Sequence, residues 1–276
     1  MRNTIYLLLL LTQFSCNAPK PEGLILKIQY KPEKTYSIST IRGTETVITY
    51  SGEDVAMQKL KSKNIKNPTI SKVKTKSTTE LVTGKKTTSL SFPVSLIYKE
   101  TLSLDGKNEI PEGTEIQGEI ISENLPNFHT VSARTFDDHQ KMQLLQTVRS
   151  TFEQLDFPEQ RLKIGDEFSI DRTTFLPMER SEIETVITTT YKLISIEKEL
   201  ATFNLTQTYR MTPELIDNTF AGNGQGTGEM YFDINNSIIS GYTMNTEINM
   251  NKKFSYFEFN LKTKNEFSQS TSLVTK

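Results

Sequence analysis

The chain has 276 residues, with 32 Lys and Arg against 33 Asp and Glu, one Cys, two His and no Trp. A formal net charge of −1 argues against a general nucleic-acid binder, and a single cysteine leaves no partner for a disulfide within the chain. Ser and Thr are abundant while Gly and Pro are modest, a balance that suits β-strands with polar outer faces.

Arg2 opens a short positive region, Ile5 to Leu11 form a short apolar one, and Ser15 precedes Cys16. The apolar stretch is too short to span a bilayer as a helix and suits a signal peptide. The order charged, apolar, small, Cys resembles a bacterial lipoprotein signal. That resemblance implies a cleaved signal over 1–15 and acylation of Cys16. It departs from the pattern at Gln13, where Leu is preferred, and at the bulky Phe14. An ordinary cleaved signal with an incidental cysteine is the alternative. Asn17 to Gly23 read as a polar, proline-containing tether, so 16–23 form the lipidated Cys and its spacer. The acidic run that marks surface-exported lipoproteins of the Bacteroidota does not follow Cys16, which points to the periplasmic face of the outer membrane. Several acyl chains would hold the protein firmly, since each buried CH₂ contributes about 0.8 kcal/mol.

From Leu24 onward the chain reads as β. Leu24, Leu26, Ile28 and Tyr30 alternate, Lys31-Pro32-Glu33-Lys34 makes a turn, and Tyr36, Ile38, Thr46, Ile48 and Tyr50 continue the period of two. From Ser51 to Ser77 the pattern fails. Lys59, Lys61, Lys63, Lys66, Lys72, Lys74 and Lys76 crowd this stretch, which reads as a solvated insertion with a helical turn around Val55 to Leu60. A basic surface for anionic lipid headgroups, glycans or an acidic partner is the sharper reading. Strand pattern returns at Thr79 to Thr83, and Leu90, Phe92, Val94, Leu96 and Tyr98 alternate. Pro93 has no N–H and favours an edge strand or a bulge. Asp105-Gly106 and Pro111-Glu112-Gly113 are turns, and Gly118 to Glu123 is a short strand.

The most regular element is central. On a wheel of about 100° per residue, Leu144, Leu145, Val148, Phe152 and Leu155 share one arc, which predicts an amphipathic helix over about 137–156. Thr135-Phe136-Asp137-Asp138 has the form of a capping box, and Pro158 ends the helix. The apolar stripe needs a partner surface, and a sheet is the candidate. Leu144, Leu145, Val148, Phe152 and Leu155 are therefore a packing surface or one face of a ligand site.

After the helix, Lys163 to Ile170 echoes Lys31 to Ile38, and Glu184 to Thr188 echoes Glu45 to Thr49. The hairpin Thr190 to Met211, turning at Glu197-Lys198-Glu199, echoes Thr79 to Tyr98. Gly228-Glu229-Met230-Tyr231 echoes Gly118-Glu119-Ile120-Ile121. The common order predicts an internal duplication, with pseudo-repeats at 24–130 and 160–262; convergent strand patterning is the alternative. In the second arm of the hairpin Ala201, Phe203, Leu205, Tyr209 and Met211 fall on one face. A further hairpin turns around Asn235-Asn236, with Tyr242, Met244, Ile248 and Met250 on one face. Phe254, Tyr256, Phe257 and Phe259 form a dense aromatic group expected to fill a core.

Few groupings carry chemistry. Gly222 to Gly228 has glycine at every second position, but a strand pattern and not a helix follows, and the Lys-Ser/Thr of a phosphate loop is missing. A flexible loop running into a strand is the reading; within a strand these glycines would share one face and allow a close approach. His129, Asp137, Asp138 and His139 are the residue types of a metal site, but the adjacent Asp138 and His139 diverge on a helix, and no metal and no cofactor is expected. No nucleophile-elbow signature frames a serine.

With these elements in hand, the mature chain resembles an uncharacterised family of Bacteroidota envelope lipoproteins. Lys163, Gly165, Asp166 and Phe168 match its Lys-x-Gly-Asp-x-aromatic turn, which opens a β meander. Gly226, Gly228, Phe232 and Asp233 match its later Gly-x-Gly strand leading into Phe-Asp. The first copy has Pro32-Glu33 in place of Gly-Asp. The resemblance covers roughly Leu24 to Met250 and implies location and architecture, not a reaction.

The sequence thus predicts a mainly β fold, 24–276: an antiparallel curved sheet, half-barrel or clamshell, made from two related strand groups with one central helix. Its expected role is an outer-membrane-anchored, periplasm-facing, non-enzymatic binding or assembly module, partnered by the membrane through Cys16 and by an envelope protein, with no nucleic acid. A carrier of an apolar ligand, lipid or acyl chain, is the second reading and an unrecognised enzyme the third. Filled or hollow is the question that separates the first two.

Overall fold

The computed structural model describes residues 23–103, 110–122, 125–178, 181–211 and 220–274. The signal, Cys16 and the first part of the tether lie outside the described residues, as does the turn read at Asp105-Gly106. In chain order the elements are β1 (Leu24–Ile25), β2 (Thr35–Gly52), α1 (Asp54–Ser62), β3 (Thr69–Thr83), β4 (Ser91–Ser103), β5 (Glu115–Ile121), β6 (Asn127–Ser132) and α2 (Asp138–Glu153). There follow β7 (Arg161–Leu162), β8 (Glu167–Met178), β9 (Ser181–Glu197), β10 (Leu200–Met211), β11 (Phe220–Asp233), β12 (Ile238–Lys253) and β13 (Phe257–Leu273). Eleven strands form one antiparallel sheet in the order β6-β5-β4-β3-β2-β13-β12-β11-β10-β9-β8, while β1 and β7 pair with each other.

The sheet consists of two meanders joined by β13, which pairs with β2 on one side and β12 on the other. Its pleat sorts the residues into two faces. Tyr36, Leu81, Val94, Leu96, Ile116, Ile120 and Phe128 pack beneath Leu144, Val148 and Phe152 of α2. Leu193, Ala201, Phe203, Leu205, Met230, Phe232 and Met244 pack beneath Leu24, Leu26, Ile28, Phe157 and Leu162. A helix therefore covers one meander and two extended segments cover the other, with Tyr30 and Leu155 packed against both clusters. Burying the three inward side chains of α2 contributes about 6 kcal/mol. The opposite face is polar, crossed by ion pairs such as Lys72–Glu45 at 3.1 Å, Lys99–Glu80 at 3.0 Å and Lys262–Glu247 at 2.7 Å.

Helix α2 runs between the two edges of the sheet. Arg149 Nε donates to the carbonyl of Phe128 in edge strand β6 at 2.7 Å. From the other edge, Arg172 of β8 donates to the carbonyls of Glu153 and Gln154 at 3.3 and 2.9 Å, satisfying the end of the helix. Residues 149 and 153 are one turn apart, about 6 Å along the axis. The sheet is thus curled until both edges reach the same turn of α2, without closing into a barrel.

The two meanders begin on similar turns. Gly165 has φ 99° and Glu33 φ 58°, so Glu33-Lys34, and not Pro32-Glu33, stand in the places of Gly165-Asp166. Gly165 N–H donates to the carbonyl of Leu193 and Leu193 N–H to that of Asp166, at 2.8 and 3.0 Å. Glu33 N–H donates to the carbonyl of Gly84 and Thr83 N–H to that of Lys34, at 3.1 and 2.9 Å. The ladder shifts one echo, however: Gly118 lies opposite Val94 and Met230 opposite Phe203, so Met230 and not Gly228 holds the corresponding place.

Several expectations change. Leu24, Leu26 and Ile28 do face a core, yet only Leu24 and Ile25 are strand, because this segment crosses the inside of the sheet with the two-residue β7 as its neighbour. The stretch 51–77 is not one insertion. Lys72, Lys74 and Lys76 lie on the outer face of β3, so their alternation is itself a strand signal; only 53–68 leave the sheet, and they contain α1. The capping box sits two residues later, with Asp137 as N-cap accepting from Gln140 N–H at 2.8 Å and Gln140 Oε1 accepting from Asp137 N–H at 3.0 Å. Strand β4 is interior, not an edge. Pro93 is accommodated there because Gly84 carbonyl, which would face its missing N–H, accepts from Glu33 instead.

Candidate binding surface

The covering segments occupy only one end of the concave face, here the plugged end. At the other, open end the long strands β2, β13, β12, β11, β10 and β9 run on beyond it. Between the two lies a row of polar side chains. Thr44 Oγ1 donates to Asn265 Oδ1 at 2.9 Å, and Asn265 Nδ2 to Thr246 Oγ1 at 3.1 Å. The Thr246 hydroxyl also bonds the phenol of Tyr209, whose O–H donates to Gln207 Oε1 at 2.9 Å; Gln207 Nε2 reaches Thr189 Oγ1 at 3.0 Å. This belt joins β2, β13, β12, β10 and β9.

It must pass over β11, and the alternating glycines make that passage. Gly222, Gly224, Gly226 and Gly228 all lie within β11, on the concave side, so the whole stretch read as a loop is strand. A Cβ at Gly226 would lie 2.7 Å from Thr246 Cγ2, and one at Gly224 would lie 3.0 Å from Ile248 and 3.1 Å from Tyr209. At Gly228 an added Cβ meets the carbonyl oxygen of Thr243. The close approach is by side chains and backbone of the flanking strands, not by a helix.

Burial shapes the belt's chemistry. It pushes the Tyr209 phenol above its usual range, against the opposing effect of the Thr246 hydrogen bond. Burial also raises Tyr242 and Tyr191, while Tyr98 is pushed up to about 12 despite the nearby Arg42 guanidinium. Arg42 lies on the concave side over the Phe267 ring, 5.8 Å from its centroid, yet is exposed. Water therefore reaches this face at the level of the belt.

Beyond the belt the surface becomes apolar again. Ile48 and Tyr50 of β2 face Leu261 and Phe259 of β13, and Ile248 and Met250 of β12 lie alongside. All six are partly exposed, none belongs to either core, and no described element covers them. The six lie on three adjacent strands, about 10 Å between the outer strand axes and about 7 Å along each strand. On the convex side of the same strands, Asn223, Asn249, Asn251 and Asn260 border a shallow depression of about 440 Å³.

The residues singled out from sequence fall elsewhere. Leu144, Val148 and Phe152 are buried, Leu145 packs against the first core, and Leu155 lies just past the helix between the two cores. His129 is exposed and bonded to Thr130, Asp137 caps α2, and Asp138 pairs with Lys141 at 3.8 Å. Among the described residues no group of three His, Cys, Asp or Glu could hold a metal ion. Glu247, held below the usual carboxylate range by the Lys262 ammonium, is on the convex face. The aromatic group at 254–259 does not fill a core. Phe254 and Tyr256 are 43% and 66% exposed at the β12–β13 turn, where no strand lies beyond them to bury them. Their high hydrophobicity was legible; their place at a hairpin tip was not.

No protein-family model matches the chain, and no curated protein is similar to it in sequence. Among solved structures it is similar to OccK5 (OpdH) of Pseudomonas aeruginosa, at 7% identity and a TM-score of 0.23 over 87% of this chain and 98% of that one. It is also similar to Ail, the attachment invasion locus protein of Yersinia pestis, at 6% identity and a TM-score of 0.16 over 86% and 99% of the two chains. OccK11 (OpdR) of Pseudomonas aeruginosa gives 6% identity and a TM-score of 0.21 over 92% and 100%. TM-scores this low reflect no more than antiparallel strands in common.

Proposed function

We propose that this protein is a non-enzymatic binding module of the bacterial envelope, held to the periplasmic face of the outer membrane by acyl chains on Cys16. Its binding surface is the open end of the concave face, and its occupant is an apolar segment of an envelope protein. The observation that carries this is the division of one concave face into a filled end and an open apolar end. The interior under α2 holds Leu144, Val148 and Phe152, which leaves a ligand no room there. The strip lined by Ile48, Ile248, Met250, Phe259 and Leu261 spans three strands, about 10 Å, which matches the diameter of one helix. Met250 gives such a surface adaptability.

The test is capture of partners from envelope extract by the full chain, compared with Leu261→Asp and with Lys262→Asp. These neighbours point to opposite faces of β13. A partner retained by Lys262→Asp and lost, by tenfold or more, with Leu261→Asp supports the reading; equal retention by both contradicts it. The same aliphatic strip favours the carrier as second reading. Native mass spectrometry of protein taken from the envelope separates the two: a bound lipid lost in Leu261→Asp replaces the protein partner with an acyl chain.

A further inference from the structure

The open end of the sheet closes in the β12–β13 hairpin, and its tip combines two features. The first is aromatic. Phe254 stacks on Phe257 with ring centroids 4.6 Å apart and on Phe259 at 6.1 Å, so three rings form one ledge. Phe254 is 43% exposed and Tyr256, at the apex, 66%. Exposed rings of this kind lose the stabilisation that burial would give them, unless another medium receives them. The second feature is positive charge. Lys252 lies over the Phe254 ring at 5.1 Å, and Lys253 is exposed beside it.

The neighbouring helix extends the same character. Glu53 N–H donates to the carbonyl of Tyr256 at 3.0 Å, which fixes the start of α1 against the hairpin. Helix α1 buries no residue, exposes Val55 at 76%, and carries Lys59 and Lys61 into its last turn. Lys63 and Lys66 follow, and the connection returns through Asn67, whose side-chain amide bonds both the N–H and the carbonyl of Tyr50 at 3.0 and 2.7 Å. This end therefore gathers Lys59, Lys61, Lys63, Lys66, Lys252 and Lys253 against Glu53, Asp54 and Glu258. Glu258 is already engaged by the Asn251 amide.

We infer that the β12–β13 tip and α1 together form a membrane-interface contact: Phe254 and Tyr256 enter the headgroup region of a bilayer, and the surrounding lysines bind its anionic headgroups. The chemistry fits a lipid surface better than a protein groove. Aromatic rings prefer the interfacial zone, and lysines near a charged leaflet each add about 1 kcal/mol of attraction. The contact is distinct from the Cys16 anchor. Leu24, the second described residue, packs with Leu193, Ala201 and Phe203 at the plugged end. Counting strand residues from Tyr242, at that level, to Lys253 gives about 36 Å to the tip, while residues 16–23 reach at most about 28 Å. If Cys16 is acylated as proposed above, the two contacts at opposite ends lay the strands along the bilayer instead of upright on it. The tip contact itself needs no acylation.

Absence of Trp from the chain makes the test local. Phe254→Trp and, as a control at the plugged end, Leu200→Trp are introduced singly into the full chain carrying Cys16→Ser, which cannot be acylated. Each is mixed with vesicles of phosphatidylcholine alone or with about one-third phosphatidylglycerol. The inference predicts that, with the anionic vesicles, the indole emission of the Phe254→Trp variant shifts to the blue and is quenched by brominated phospholipid. Both effects are lost at high salt or when Lys252→Glu and Lys253→Glu are added, and Leu200→Trp shows neither. Unchanged emission from Phe254→Trp, equal responses from both positions, or a concentration-dependent shift without vesicles would each overturn it; the last would point to a second copy of the chain. Because acylation is absent throughout, failure here leaves the Cys16 reading and the concave-face reading standing, and success does not establish them.

Discussion

Single residues on the concave face set how this protein responds to alkali. Burial raises the phenols of Tyr30, Tyr36, Tyr98, Tyr191, Tyr209 and Tyr242, and Tyr98 reaches about 12. In the unfolded chain a phenol ionises near pH 10. The folded state then holds protons that the unfolded state has lost, so stability falls as pH rises. The contribution of these groups is fully present below about pH 10 and drains between there and about pH 12. The urea midpoint should accordingly be flat from pH 7 to 9 and decline steeply above 10. Absorbance at 295 nm, clean in a chain of ten tyrosines and no Trp, should rise in two stages, the exposed phenols first and the buried ones with unfolding. A single stage near pH 10 with a constant midpoint would mean that the phenols are in water.

At the scale of elements, β11 shows how one strand can be chosen for what it lacks. Four concave-side glycines weaken a strand, since glycine loses more backbone entropy than any other residue. Here they leave room for Tyr209 and Thr246 to meet across it. Gly226→Val should therefore cost about 1–3 kcal/mol by overpacking and break the belt, while Thr227→Val, pointing outward from the same strand, stays within about 0.5 kcal/mol. Urea unfolding of the two variants checks this; equal stability would deny the glycines their role. The periodicity of these elements was largely readable. The stripe of α2, the hairpin turning at Lys198, and the shared faces of β10 and β12 follow from spacing alone. What failed were places where a second cause was needed. Lys72, Lys74 and Lys76 alternate as a strand does, but their charge suggested an insertion. Pro93 looked like an edge because its compensating contact, Glu33 on Gly84, comes from a distant part of the chain. The belt was invisible, because nothing in sequence says which polar residues of five strands fall in one row.

For the whole molecule, the question of filled or hollow resolves by position. Helix α2 fills the sheet at one end and is tied to both edges through Arg149 and Arg172, so it is a structural plug there. The open end keeps an apolar concave strip and an aromatic, lysine-rich tip. Neither could be placed from sequence, because both depend on how far each strand extends past the covering segments. The proposed binding role rests on that asymmetry. Its most direct test is a photo-crosslinking side chain placed at Leu261 and, separately, at Lys262, with irradiation in intact cells. The account predicts a discrete adduct from position 261 and none from 262. Adducts from 262 alone, or equal adducts from both, would contradict a binding surface on the concave face.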